Sequence, residues 1–388
     1  VTGAPIAFVA AESSGDALGA DLIVELRKRN PNLSVMGVGG MQMAAQGVHS
    51  AIEISSLSVL GFIEGLKAYP RVVKLADAAA DAIEAANPSA VVLIDSWGFT
   101  LRVAQRLRVR LPKTPLIKYI GPQVFATRPG RARTLALTVD HLICIHDFEV
   151  PYYKSFGLPC TVCGHPAIGR YTPGDRAAWR AACGLNESDV ALLILPGSRG
   201  GEIKRTAPVL MQAAQSLDKD NVRVFVLAAR PVEAQVRDLV QEMLPDACVI
   251  GEGADKDDVF AGSDVALAAS GTVTTEVALQ QTPVVVAYRV GWLSWALMRL
   301  ALKAKYATLM NIAADKEVAP EFLQTRATAN NLRAAVQPLL ESAEKRAAQV
   351  HAQNAALDAM GRGKCPAAVI AADVVEEMVR KGVEAVRR

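Results

Sequence analysis

One repeated unit limits what this chain can become: a short, wholly apolar run, a break carrying glycine or serine, then apolar residues at helical spacing. Leu192-Leu-Ile-Leu195, followed by Pro196-Gly-Ser-Arg-Gly-Gly201 and a helical pattern from about Glu202 to Leu217, is the clearest copy. A run without polar alternation fits a parallel strand covered on both faces, and parallel strands need a crossover helix between them. In the first half the pattern predicts strands at Ile6–Ala10, Val35–Val38, Ala90–Ile94, Leu116–Ile120 and His141–Ile145. In the second it predicts strands at Val222–Ala228, Cys248–Ile250, Val265–Ala268 and Pro283–Tyr288. The expectation is an α/β chain of two Rossmann-like, doubly wound lobes, each with a mostly parallel sheet. The 388 residues give room for both cores. Turn chemistry at Gly164-His-Pro166 and Tyr171-Thr-Pro-Gly174 marks the junction, predicting lobes over 1–168 and 169–340 and C-terminal helices over 341–388 that pack back across them.

In such sheets ligands bind at the carboxyl ends of the strands. After Leu195 a helix start offers free N–H groups, Gly197, Gly200 and Gly201 leave an anion room to approach, Ser198 is a further donor, and Arg199 adds a forked, permanent charge. An ordinary turn with Ser198 as a cap is the alternative. The spacing is neither a P-loop nor a dinucleotide fingerprint, so ATP and NAD are disfavoured. Ser270-Gly271-Thr272 repeats the arrangement, with Glu276 one turn in, where a carboxylate can take ribose hydroxyls or complete a helix dipole. Two such helix starts would suit a diphosphate nucleotide. In the first lobe Glu12, Gly39-Gly40, Asp95 and Gly121-Pro122 fall at strand ends, with Glu12-Ser-Ser-Gly-Asp16 read as a loop. Asp95 directly follows Val91-Val-Leu-Ile94, a setting for a general base or for a turn cap. His165 could line the cleft or be a boundary residue with a satisfied ring.

A net charge of +3 and few aromatics argue against nucleic acid as a partner. The six cysteines form no framework, Cys160 and Cys163 are read as structural, and Asp255-Lys-Asp257 as a helix cap, so neither a metal nor a cofactor is expected. No signal peptide is expected, and the most apolar region, Val284 to Met310, is broken by Arg289, Arg299 and Lys303. The expected protein is cytoplasmic, soluble or resting on a membrane surface. Ser56 to Val73 is unusually apolar for a surface, with Val59, Leu60, Phe62, Ile63 and Leu66 either folded onto the core or facing acyl chains or a bilayer. Arg102, Arg106, Arg108 and Arg110, with Arg128, Arg131 and Arg133, form either a solvated face or a site for anionic headgroups.

Taken in order, several motifs resemble the lipid-A-disaccharide synthases. They are Glu12-Ser-Ser-Gly-Asp16, Gly37-x-Gly-Gly40, Leu57-Ser-Val-Leu-Gly61 with Glu64, Ile94-Asp95, Gly121-Pro-Gln-Val with Arg128-Pro-Gly-Arg131, Phe148-Glu149 and Gly164-His-Pro166. The second half adds Leu195-Pro-Gly-Ser-Arg199 with Glu202, Ala269-Ser-Gly-Thr272 with Glu276, Tyr288-Arg289, and Asn311 with Glu317. The resemblance implies a GT-B glycosyltransferase that joins UDP-2,3-diacylglucosamine to 2,3-diacylglucosamine 1-phosphate through a β-1,6 link, with inversion, at the cytoplasmic face of the inner membrane. It implies catalytic parts for Asp95, Arg199, Asn311 and Glu12, and adds Ser14 and Gly15 to the phosphate set. The chain departs from the family pattern at Asp95-Ser-Trp-Gly-Phe-Thr100, where Asp-Ala-Pro-Asp-Phe-Asn is usual. It departs again at Gly121-Pro-Gln-Val-Phe-Ala-Thr-Arg-Pro129, where two tryptophans are usual. Both changes fall on the expected acceptor side. Another UDP-sugar enzyme of this architecture, an epimerase included, and a non-catalytic UDP-sugar or lipid-binding homologue are the alternative readings.

Overall fold

The structure, a computed structural model, describes residues 3–50, 52, 62–125, 128–217, 221–251, 253–269, 271–289, 291 and 305–382, with the side chains of 62–69 outside that set. It divides into two compact units: residues 1–169 with 364–388, and residues 170–363.

In the first unit, strands β1 (Ile6–Val9), β2 (Val35–Val38), β3 (Ala90–Ile94), β4 (Leu116–Tyr119), β5 (His141–Cys144) and β6 (Cys160–Val162) form one sheet in the order β2-β1-β3-β4-β5-β6, every pair parallel. Its helices are α1 (Ser13–Arg29), α2 (Met41–Ala45), α3 (Phe62–Ala86), α4 (Trp97–Arg110), α5 (Gly130–Ala136), α6 (Val150–Lys154) and α7 (Pro166–Gly169). Alternate residues of each strand enter separate cores, as a doubly covered sheet requires. Val91 and Leu93 meet α3, α4 and α5, whereas Val92 and Ile94 meet α1 and the C-terminal helix.

In the second unit, β7 (Val190–Leu195), β8 (Val222–Leu227), β9 (Cys248–Ile250), β10 (Val265–Ala269), β11 (Val284–Tyr288) and β12 (Glu321–Leu323) follow the order β12-β11-β10-β7-β8-β9, again all parallel. The helices are α8 (Arg176–Ala182), α9 (Gly200–Gln215), α10 (Glu233–Met243), α11 (Lys256–Gly262), α12 (Val273–Leu279), α13 (Leu309–Ala314), α14 (Ala329–Glu341) and α15 (Ala343–Ala359). The last helix, α16 (Ala367–Lys381), returns to the first unit. There Arg29 of α1 donates to Asp373 at 2.7 Å and Glu376 at 2.8 Å.

The strand orders fix where ligands can lie. Connections leave in opposite directions between β1 and β3 and again between β7 and β10, and at such switch points a crevice opens beyond the carboxyl ends.

Some expectations change. Glu12–Asp16 is the start of α1 rather than a loop, because Asp16 is buried and accepts hydrogen bonds from the N–H groups of Gly40 (2.7 Å), Gln42 (2.9 Å) and Met43 (3.1 Å), capping α2. Asn311 lies within α13 and is fully buried. Residues 292–304, within the apolar region from Val284 to Met310, lie outside the described residues. Asp255 does cap α11, accepting from the Asp257 N–H at 2.9 Å. Among the described residues no helix is long and apolar enough to cross a membrane.

Gly37 has no freedom to change. Its φ of +138° suits glycine alone, and a Cβ there would sit 1.9 Å from the carbonyl oxygen of Phe8 on the adjacent strand. Gly37→Ala should therefore lower unfolding stability by about 2–4 kcal/mol in denaturant titrations. A loss below about 0.5 kcal/mol would show that the strand relaxes around the methyl group.

Candidate active site

At the β1/β3 switch point the chain turns sharply after Ile94. Asp95 and Ser96 both adopt left-handed backbone angles, φ +44° and +40°, at a cost of roughly 1–2 kcal/mol each for residues with a Cβ. The turn persists because it is tied from below. The Thr100 hydroxyl donates to the carbonyl oxygens of Asp95 at 2.7 Å and Ser96 at 3.0 Å, and Lys118 of β4 donates to the Asp95 carbonyl and, at 2.8 Å, to Thr100 Oγ1. The Asp95 N–H meanwhile donates to the Tyr119 carbonyl at 2.8 Å. The half-buried Asp95 is thus held by its backbone, and none of these bonds uses its carboxylate.

Lys118 went unread in the sequence. One lysine inside Leu116-Ile-Lys-Tyr-Ile120 reads as an outward-facing residue on an alternating strand, yet α3 and α4 cover that face and Lys118 is 3% exposed. Burial pushes its pKa down to about 7 against the opposing pull of Asp95. Thr100, where the family pattern has Asn, accepts a hydrogen bond from it through Oγ1.

Around this turn, Glu12 is the N-cap residue of α1, Ser14 is exposed in its first turn, and Gly15 is buried, with room only for contact between α1 and Ile94. Trp97 opens α4 and carries the Arg131 guanidinium over its ring, 5.1 Å from the centroid.

At the β7/β10 switch point two loops emerge side by side, since Leu195 pairs with Ala268. In the first, Gly197 has φ +110°, and Glu202 folds back so that Oε2 accepts from the Ser198 N–H at 3.2 Å. A Cβ on Gly197 would meet that carboxylate at 2.4 Å. Burial raises the pKa of Glu202. Arg199 caps α9, is exposed, and makes no ion pair among the described residues. The second loop leaves Gly271 with open space around it and Thr272 as the N-cap of α12. Ser270 lies outside the described residues. Because α12 has seven residues against sixteen in α9, its dipole is the weaker, and its free N–H groups are its main offering. Glu276 pairs with Lys256 at 3.0 Å. At the end of the neighbouring β11, Tyr288 lies within electrostatic reach of both Glu202 and Arg199, and burial raises its pKa.

Other expected residues stand apart. The Asn311 amide is wholly engaged, donating to the Ala319 carbonyl (2.8 Å) and Glu321 Oε2 (3.2 Å) and accepting from the N–H groups of Val318 (2.8 Å) and Ala319 (2.9 Å). Its geometry is that of a brace. His165 is buried, with Nδ1 accepting from the Ala167 N–H at 3.3 Å. Nearby, Glu149 accepts from the N–H groups of Ile145 and His146, and burial pushes its pKa up to about 7. The six cysteines are free, and no cluster of metal-ligating side chains occurs among the described residues. Val59 and Leu60 lie outside the described residues, and of Phe62, Ile63 and Leu66 only the helical backbone is described.

A family model described as lipid-A-disaccharide synthetase matches residues 6–375. The chain belongs to the lipid-A-disaccharide synthetase family. A lipid-A-disaccharide synthase of Rhodospirillum centenum (strain ATCC 51521 / SW) is 37% identical over 387 residues, covering 99% of this chain and 96% of the relative. Among solved structures, a glycosyltransferase from Rickettsia africae ESF-5 superposes with TM-score 0.59 at 12% identity, covering 97% of this chain and 98% of its own. The UDP-GlcNAc 2-epimerase of Neisseria meningitidis bound to UDP-GlcNAc superposes with TM-score 0.58 at 14% identity, covering 97% and 99%. At these identities the likeness concerns fold alone, and it gives this lipid-A-disaccharide synthetase family member the two Rossmann-like units of a GT-B architecture.

Lys118 should leave a mark on stability. The unfolded chain keeps this proton up to about pH 10.5, whereas the folded protein releases it near 7. Stability is therefore gained as pH rises from 7 toward 10.5 and given up as pH falls back through 7. Measured against Lys118→Met, the wild-type melting temperature should climb by several degrees between pH 7 and about pH 9. A constant difference across that window would mean that the ammonium is solvated.

Proposed function

We propose that the protein is a hexosyltransferase of lipid A biosynthesis. It moves 2,3-diacylglucosamine from its UDP donor to 2,3-diacylglucosamine 1-phosphate and releases UDP as the β-1,6-linked disaccharide forms. Family membership supports the activity. The observation that carries the site assignment is the pairing of two open helix heads with an exposed guanidinium, free of ion pairs among the described residues, at the β7/β10 switch point.

In this reading Gly197, Ser198 and Arg199, with Ser270, Gly271 and Thr272, receive the donor diphosphate, and Glu276 receives the ribose. Arg199 and the N–H groups heading α9 stabilise the negative charge that grows on UDP as its bond to the sugar breaks. Asp95 accepts the proton of the acceptor 6-hydroxyl while that oxygen attacks the anomeric carbon from the opposite face, which inverts it. Glu12 and Ser14 stand at the head of α1, the helix that follows β1, which pairs with the strand leading to Asp95. Gly15 packs against Ile94, and Asn311 acts from α13 by bracing the segment at Val318 and Ala319.

The same reading puts the protein at the cytoplasmic face of the inner membrane, peripherally associated with it. Val59, Leu60, Phe62, Ile63 and Leu66 supply apolar character from the sequence. The α5/α6 face adds a cavity of about 470 Å³ lined by Arg133, Pro151, Tyr152 and Phe156 among others. Leu137, Tyr152 and Phe156 are exposed, and the charged residues of the two helices, Arg131, Arg133 and Lys154, are all basic. Apolar bulk ringed by cations matches an anionic lipid surface.

Asp95→Asn should lower kcat by ~10²-fold or more with purified substrates, disaccharide being measured by mass spectrometry. Unchanged turnover would remove Asp95 from the role of base. Replacing Tyr152 and Phe156 with serine should weaken sedimentation with anionic vesicles by roughly tenfold while turnover in detergent persists. Equal sedimentation of both proteins would move the lipid contact elsewhere.

A further inference from the structure

We infer that Arg128 and Arg131 form the receptor for the phosphate monoester of the acceptor sugar, an assignment that rests on the disaccharide-forming reading above. The first observation is placement. The Arg131 N–H donates to the Arg128 carbonyl at 3.0 Å, so a single turn carries both guanidinium groups. Arg131 then lies over Trp97, which opens α4 two residues after Asp95. An acceptor whose 6-hydroxyl reaches Asp95 carries its 1-phosphate across the ring oxygen of the same sugar. Its receptor therefore belongs on the same unit as the base. Arg131 meets that requirement, and its contact with Trp97 ties it to the helix that begins two residues after Asp95.

The second observation is charge. Of the arginines in the first unit, Arg106 pairs with Asp77, Arg108 with Asp140, and Arg110 with Asp81 and Glu84. Arg102 donates to the Gly98 carbonyl. Arg128 and Arg131 make no ion pair among the described residues. Arg131 is half-buried, and both its burial and the neighbouring Arg128 work against its charge. Two like charges held together without a counter-ion form an incomplete arrangement that a dianion completes. A phosphate monoester carries about −1.5 to −2 charges at neutral pH, and its oxygens match the guanidinium fork. Arg128 also keeps a left-handed φ of +51°, unusual for a residue with a Cβ. The donor diphosphate has its own proposed site on the second unit, so this pair is left for the acceptor.

The test is a cycle in which phosphate and guanidinium are removed separately and together. Turnover of 2,3-diacylglucosamine 1-phosphate and of the same sugar with a free 1-hydroxyl is measured in neutral detergent, free of anionic lipid. The wild type, Arg128→Met, Arg131→Met, Arg131→Lys and the double methionine variant are compared. Wild type should prefer the phosphorylated acceptor by ~10²-fold or more in kcat/KM. The double variant should lose most of that preference through a higher acceptor KM, with the donor KM unchanged, and Arg131→Lys should keep part of it. Arg128 is exposed, so Arg128→Met serves if the Arg131 variants fail to fold. The inference is overturned if the variants keep the full preference. It is overturned equally if both acceptors slow alike, as a brace for Trp97 would produce, or if the substitutions change only binding to anionic vesicles. A wild type that forms disaccharide from neither acceptor would remove the enzymatic reading first and this inference with it, whereas normal turnover with an unmoved preference would remove this inference alone.

Discussion

Covering each parallel sheet on both faces is the constraint on which the rest depends. Desolvation drives polar groups out of strands such as Val91–Ile94 and Leu192–Leu195, so chemistry is confined to the turns beyond their carboxyl ends. Reversal of strand order opens one crevice in each unit, and the functional candidates gather there. Asp95 and the head of α1 stand at the first, and Gly197–Arg199, Gly271–Thr272 and Tyr288 at the second.

Lys118 is the exception within a strand, and it shows what an exception requires. A buried ammonium with no carboxylate among its hydrogen-bond partners would be costly unless its donors were used, and here the Asp95 carbonyl and the Thr100 hydroxyl use them. The same bonds secure two left-handed residues that the chain would otherwise leave. The Thr at position 100 is therefore tied to the local backbone of the turn bearing Asp95.

The arginines of the first unit divide in a way that bears on function. Arg106, Arg108 and Arg110 of α4 are spent on acids of α3 and on Asp140, which stabilises helix packing. Those on the loop and helix after Pro122 are not, and they stand between the Asp95 turn and the exposed Tyr152 and Phe156. In the proposed roles, base, phosphate contact and apolar surface would follow one another on one body.

Much of this was legible in the residue string. The apolar runs located ten of the twelve strands, missing the short β6 and β12, and the Pro-Gly-Ser-Arg and Ser-Gly-Thr breaks named both loops of the second switch point. The Asp after Ile94 marked the rim of the first by its position alone. Periodicity and turn chemistry act over a few residues, so local sequence suffices for them. Strand order, the burial of Lys118, the engagement of Asn311 with Ala319 and Glu321, and the choice of which arginines are neutralised belonged to the tertiary structure. Each depends on partners brought together from distant positions, as Arg108 and Asp140 are across 32 residues. A charge in the sequence carries no record of whether folding will supply its counter-ion.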